Sequence, residues 1–173
     1  MAIGFVIAAA VIAGLQYLDN YGPQIITDNY MFYAVLVGAV MGDPKTALIV
    51  GASIQLMSLG VAAIGGSSVP NYGMAAVVAT ALTIHTGQDM SVGIAAGALG
   101  VQMDVIAKIL NGFVVRKAQK YCMENKFKKM ERILYLGPVL FFLSAALPTL
   151  IILAFGENVT DFIVNSMPKW FTG

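Results

Sequence analysis

A chain of 173 residues that is 58% hydrophobic and only 11% charged, with a mean hydropathy of +0.80, lacks the roughly one-quarter charged residues that cover a water-soluble domain. A lipid bilayer is the expected solvent. The apolar content excludes disorder, the single cysteine, Cys122, excludes a disulfide scaffold, and a net charge of +1 argues against a nucleic-acid binder.

The first apolar stretch, 3–18, follows Met1 almost at once. No Lys or Arg precedes Lys45, and the stretch ends in Tyr17-Leu18-Asp19-Asn20. A signal peptide would show a basic start and a small-residue cleavage site, so 3–18 is expected to be a retained membrane segment. Five more apolar stretches follow, at 30–42, 47–66, 73–87, 92–115 and 133–155. Crossing a hydrocarbon core of ~30 Å takes about 20 helical residues. The stretches 47–66, 92–115 and 133–155 reach that length, while 30–42 and 73–87 fall short. The short ones are bounded by Gly42-Asp43-Pro44 and by the 65–71 run Gly-Gly-Ser-Ser-Val-Pro-Asn, both helix-breaking. Backbone of that kind survives at membrane depth only inside protein or beside a water-filled cavity. The fold class expected is an all-α polytopic membrane protein with transmembrane helices and short broken or re-entrant segments, the pattern of transporters whose half-helix ends face a substrate. Ordinary loops between short tilted helices are the alternative.

Charge is concentrated in one place. Eight of the ten basic residues lie between Lys108 and Arg132, and positions 116–132 form a basic connector opposed only by Glu124 and Glu131. The positive-inside rule places this connector in the cytoplasm, so 92–115 runs inward and 133–155 outward. It is also readable as an anchor for lipid headgroups, and a loop that docks a partner stands level with one that merely obeys topology. The side of Met1 is left open by this reasoning.

Ionisable side chains within membrane segments are costly and therefore functional candidates. Asp104, Lys108 and Asn111 recur at i, i+4 and i+7, which places them on one face of a helix turned from lipid. A self-neutralising structural pair is the competing reading. Asp19 sits among amides and tyrosines in the 16–23 run Gln-Tyr-Leu-Asp-Asn-Tyr-Gly-Pro, a mixture suited to sugar hydroxyls and an apolar ring face. A helix cap with an interfacial tyrosine belt would look the same. Gln55 lies mid-segment among small residues, as ligand group or as interhelical glue. The 65–71 run, with Ser67, Ser68 and Asn71, offers free backbone groups and hydroxyls that replace the hydration of a polar solute. P-loop and dinucleotide fingerprints are absent. His85 is the only histidine and has no Cys near it in sequence to make a metal site with, and no cofactor is implied.

Four sets of residues recur in order: Ala13-Gly14 with Leu18-Asp19, Gly38-x-x-x-Gly42-Asp43-x-Lys45-Thr46, Gly51-Ala52 with Gln55-Leu56 and Leu59-Gly60, and Gly65-Gly66 followed by Val69-Pro70-Asn71. In this order they resemble the IIC component, the membrane permease subunit, of mannose-type bacterial sugar phosphotransferase systems, the group that includes the fructose, sorbose and N-acetylgalactosamine permeases. Asp104, Lys108 and Asn111 resemble a family segment that carries Arg where Lys108 stands, and Gln55 stands where relatives often have Glu.

The resemblance implies a single type IIC membrane permease domain over 1–173, lacking the C-terminal part of the family domain. It also implies uptake of a hexose or amino sugar coupled to phosphorylation, with an elevator-like movement of the substrate-holding core. Asp19, Gln55, Ser67, Ser68 and Asn71 would form the IIC side of the sugar site. The partners it implies are the sugar, a IID membrane subunit that completes the site, cytoplasmic IIB and IIA proteins and membrane lipid, in an oligomer. The chain would not be an enzyme in itself, since phosphoryl transfer belongs to IIA and IIB, and it would lie in the bacterial plasma membrane as a multi-pass protein. Two other readings stay open: a truncated, non-transporting subunit with a structural or interaction role, and an ion-coupled carrier using Asp104 and Lys108.

Overall fold

The computed structural model describes residues 3–26, 29–61, 71–87 and 90–166, with backbone alone at 96, 99–107, 157, 159 and 163. Its described elements are all helices: α1 (Ile3–Tyr21), α2 (Tyr30–Met41), α3 (Pro44–Leu59), α4 (Tyr72–Thr86), α5 (Met90–Met123), α6 (Phe127–Ala154) and α7 (Gly156–Ser166). Among the described residues, α1 and α6 are long and apolar enough to cross a membrane.

The way α1 distributes its residues identifies its surroundings. Its inner face carries Ala9, Ala10, Ala13 and Gly14, whereas the bulky Ile7, Val11 and Leu15 point outward. A helix in water would turn a polar face to solvent. Small residues inside and large apolar ones outside instead let helix backbones approach closely where no aqueous hydrophobic force drives them together. Gly14 shows how close: an added Cβ would lie about 2.5 Å from the Phe142 ring of α6.

The α2 and α3 helices form a tight antiparallel hairpin. Gly42 takes the left-handed conformation at φ 87°, which a residue without Cβ adopts at little cost, and its N–H bonds the Gly38 carbonyl. Asp43 then caps α3, accepting from the Thr46 N–H at 3.0 Å and from the Thr46 hydroxyl, with Pro44 at the first helical position where its missing N–H costs nothing. Gly38 faces Ala47, and Gly51 faces Ala34, along a seam without side-chain bulk.

At the centre stands α4. Every residue from Gly73 to Thr83 is buried, as expected of a helix apolar all round. At 15 residues, or about 22 Å, it is too short to cross a bilayer and is enclosed by the other helices. It runs antiparallel to α5, with Gly93 against Thr83 and Gly97 against Ala75 and Ala79. The α1 and α6 helices are also antiparallel, since Tyr17 and Tyr21 meet Phe141 while Ile3 and Val6 share a cleft with Leu150 and Leu153.

One expectation is modified. The 47–66 stretch was expected to reach spanning length, but α3 ends at Leu59 because Gly60 closes the helix although the apolar sequence continues; residues 62–70 lie outside those described. The basic connector is largely helical, with α5 running on to Met123 and α6 starting at Phe127. In the turn between them Lys126 bonds Glu124 at 2.7 Å and holds its carboxyl below the usual carboxylate range. Beyond α6, the tail contains a further helix, α7.

Candidate functional site

Four helix ends meet at one end of the bundle: the C-termini of α1 and α3 and the N-termini of α2 and α4. Helix ends leave backbone groups without intrahelical partners; here Gln55 of α3 satisfies the start of α2, and Asn71 caps the start of α4.

Asp19, in the last turn of α1, holds the chain that follows. Its Oδ1 accepts the Ile25 N–H at 2.7 Å, and its Oδ2 accepts the Ile26 N–H at 2.8 Å and the Tyr33 hydroxyl of α2 at 2.9 Å. An ionised carboxylate offers about four acceptor positions, so little capacity remains for a ligand. Gln24 stands at φ 54° in the turn that Asp19 fastens. Beside these groups lies a cleft of about 220 Å³ edged by Asp19 and Tyr33 and otherwise apolar, with Ile12, Ile25 and Phe32 in its walls.

Gln55 reaches across the α2–α3 hairpin. Its Oε1 accepts the N–H of Tyr30 at 2.7 Å and of Met31 at 3.3 Å, so a residue 25 positions away caps α2, whose own N-cap residue, Asn29, makes no side-chain cap bond. The reach follows from the hairpin register that opposes Gly38 to Ala47 and Ala34 to Gly51. Asn71 caps α4 through Oδ1, accepting from the Met74 N–H at 3.0 Å. Its Nδ2 is buried and has no hydrogen-bond partner among the described residues.

The structure thus brings Asp19, Gln55 and Asn71 to one place. The first turn of α2 joins them: Tyr33 bonds Asp19, the Tyr30 N–H bonds Gln55, and the Tyr30 ring lies 6.0 Å from that of Tyr72, next to Asn71. Ser67 and Ser68 fall outside the described residues, as does the Asp104 side chain. Lys108 and Asn111 are half-buried on α5, and Asn111 shares a crevice with Gly137 and Phe141 of α6, not with Gln55 or Asn71. Among the described residues no group of His, Cys, Asp and Glu has the makings of a metal site.

Two residues of this end were not singled out from the sequence. Tyr33 is one; its bond to Asp19 depends on how residues 22–26 turn. Gln16 is the other. Its side chain is 2% exposed and packs on the α4 first turn so closely that a Cβ at Gly73 would collide with its amide. The signal for it was present, since Ala9, Ala13 and Gln16 follow helical spacing along the buried face of α1.

Residues 3–173 match the family model described as the PTS system sorbose-specific IIC component. The fructose permease IIC component of Bacillus subtilis is 25% identical over 171 residues, 96% of this chain and 64% of that relative. The mannose-specific EIIC component of Escherichia coli K12 is 26% identical over 161 residues, 87% of this chain and 60% of the relative. The chain thus spans somewhat under two-thirds of the length of these curated relatives. The cryo-EM structure of the mannose transporter ManYZ with microcin E492 shares the fold, with a TM-score of 0.79 at 21% identity over 99% of this chain and 71% of that one. With the family model matched from residue 3 to the last residue, the chain belongs to the sorbose-type IIC family of phosphotransferase-system components.

Proposed function

We propose that this chain is the sugar-holding permease subunit of a phosphotransferase complex, in which a hexose or amino sugar is taken up and phosphorylated by its cytoplasmic partners. The observation that carries the reading is the gathering of Asp19, Gln55 and Asn71 around the first turn of α2, where four helix ends meet. Helix ends and amide side chains are what transporters use to replace the hydration of a polar solute. Tyr30 and Tyr72 supply the ring faces that a sugar's apolar side requires.

Within this reading the residues divide their work. Asp19, with three donors already on its carboxylate, fixes the 22–26 turn and the α2 N-terminus. Gln55, Asn71, Ser67 and Ser68 supply donors and acceptors to the sugar. Asp104, Lys108 and Asn111, spaced i, i+4 and i+7, make up the polar face of α5. The basic 116–132 turn lies on the cytoplasmic side of the bacterial plasma membrane. The antiparallel packing of α1 on α6 then sends the C-terminal end of α1 toward the cytoplasm and its N-terminus outward, in a multi-pass arrangement. A IID subunit completes the sugar site, IIB and IIA carry the phosphoryl chemistry, and the chain itself performs none.

Membrane vesicles holding the chain with matching IIA, IIB and IID proteins test this reading. Sugar phosphate is expected to accumulate only when phosphoenolpyruvate is supplied. Uptake that ignores phosphoenolpyruvate and follows a proton or sodium gradient would replace the reading with an ion-coupled carrier. A stable complex with IID and neither uptake nor sugar binding would leave a structural subunit.

A further inference from the structure

Among the described residues, two buried atoms at the first turn of α4 lack partners: Gln16 Oε1 and Asn71 Nδ2. The residues are 2% and 5% exposed. A buried polar group without a partner is destabilising, and in folded proteins such groups are few and call for an explanation. Both belong to the same corner of the molecule. Gln16 packs on Gly73, while Asn71 caps the same turn by accepting from the Met74 N–H. That bond fixes the Asn71 amide, committing Oδ1 to the helix and leaving Nδ2 as a spare donor. Gln16 offers a spare acceptor.

We propose that Gln16 is a specificity-determining residue of the sugar site, accepting a hydrogen bond from one substrate hydroxyl that in turn accepts from Asn71 Nδ2. The inference rests on the sugar-permease reading and adds to it a residue and a ligand chemistry. A hydroxyl is both donor and acceptor and satisfies one orphan of each kind. A carboxylate or phosphate would face the Gln16 oxygen without a proton to give, and an ammonium would have no lone pair for Asn71. The position therefore selects an uncharged, hydroxyl-bearing part of the sugar. It also explains Gly73, where any side chain would drive the Gln16 amide out of place.

Binding of fructose, mannose, sorbose and N-acetylgalactosamine to the purified permease, with its IID partner where binding requires it, followed by the monodeoxy analogues of whichever sugar binds, provides the test. Gln16→Leu removes the acceptor. Asn71→Asp keeps the Oδ1 cap and removes the Nδ2 donor, so it reports on the same hydroxyl should Gln16→Leu fail to fold. Each variant is expected to weaken the parent sugar by about tenfold and to leave unchanged the affinity for the one analogue lacking the hydroxyl read here. Affinities equal to wild type, or an equal loss for every analogue, would overturn the role of Gln16 while sparing the sugar site. Failure of the unaltered protein to bind any of the four sugars would overturn the sugar-permease reading and this inference with it.

Discussion

Gln55 caps a helix to which it does not belong. Its Oε1 takes the two N–H groups that open α2, the work that Ser, Thr, Asp or Asn ordinarily do from the cap position itself. Gln55→Ala is therefore expected to lower stability by about 1 kcal/mol, as loss of a cap does, and to weaken sugar binding in the same protein; thermal unfolding in detergent and a binding titration measure the two effects. Unchanged unfolding would mean that the α2 N-terminus does not depend on the cross-hairpin bond. The sequence marked Gln55 because an amide in an apolar segment is conspicuous, and marked Asp19 and Asn71 by their neighbours. It did not mark Gln16, whose importance comes from the absence of a side chain at Gly73, a property of a different helix. Nor did it show that Asp19 is occupied, because the donors from Ile25, Ile26 and Tyr33 converge only once residues 22–26 have turned.

Among the elements, the α2–α3 hairpin sets the register that places Gln55 opposite Tyr30. Its seam depends on Gly38, where a Cβ would overlap that of Ala47 and press the Asp43 carbonyl at 2.8 Å. Backbone cannot yield as a flexible side chain would, so Gly38→Ala is expected to cost ~1–3 kcal/mol and to weaken sugar binding through the displaced Gln55. Circular dichroism melts with a parallel binding titration would show both, and a variant as stable and as tight-binding as wild type would contradict the seam. The helix-breaking Gly42-Asp43-Pro44 signal was legible, since each residue acts locally. The end of α3 was not: apolar sequence runs on past Gly60, and hydropathy does not sense a break in helix geometry. The continuation of α5 to Met123 was hidden for the opposite reason. Lys, Arg, Gln and Ala, which fill the polar part of α5, are good helix formers, so a change from apolar to polar sequence marked a change of solvent, not of secondary structure.

For the whole molecule, composition alone identified the solvent, and the small-inside, large-outside arrangement of α1 is its structural counterpart. What composition could not supply is sidedness. The antiparallel packing of α1 on α6 ties the N-terminal helix to the basic turn, so one label fixes both. Cys122 is the only cysteine, is exposed and sits beside that turn. A membrane-impermeant maleimide is expected to modify it in inside-out vesicles and to leave it untouched in intact cells; labelling of intact cells would reverse the orientation. The central claim, that the sugar is held where α1 and α3 end and α2 and α4 begin, is tested most directly by photolabelling the full permease complex with a diazirine-bearing hexose and mapping the adducts by mass spectrometry. The account predicts adducts, suppressed by excess unlabelled sugar, on peptides carrying Gln16, Tyr30, Gln55 or Asn71. Competable adducts confined to the α5–α6 crevice at Asn111, or to the apolar cleft between Ile3 and Leu150, would contradict it.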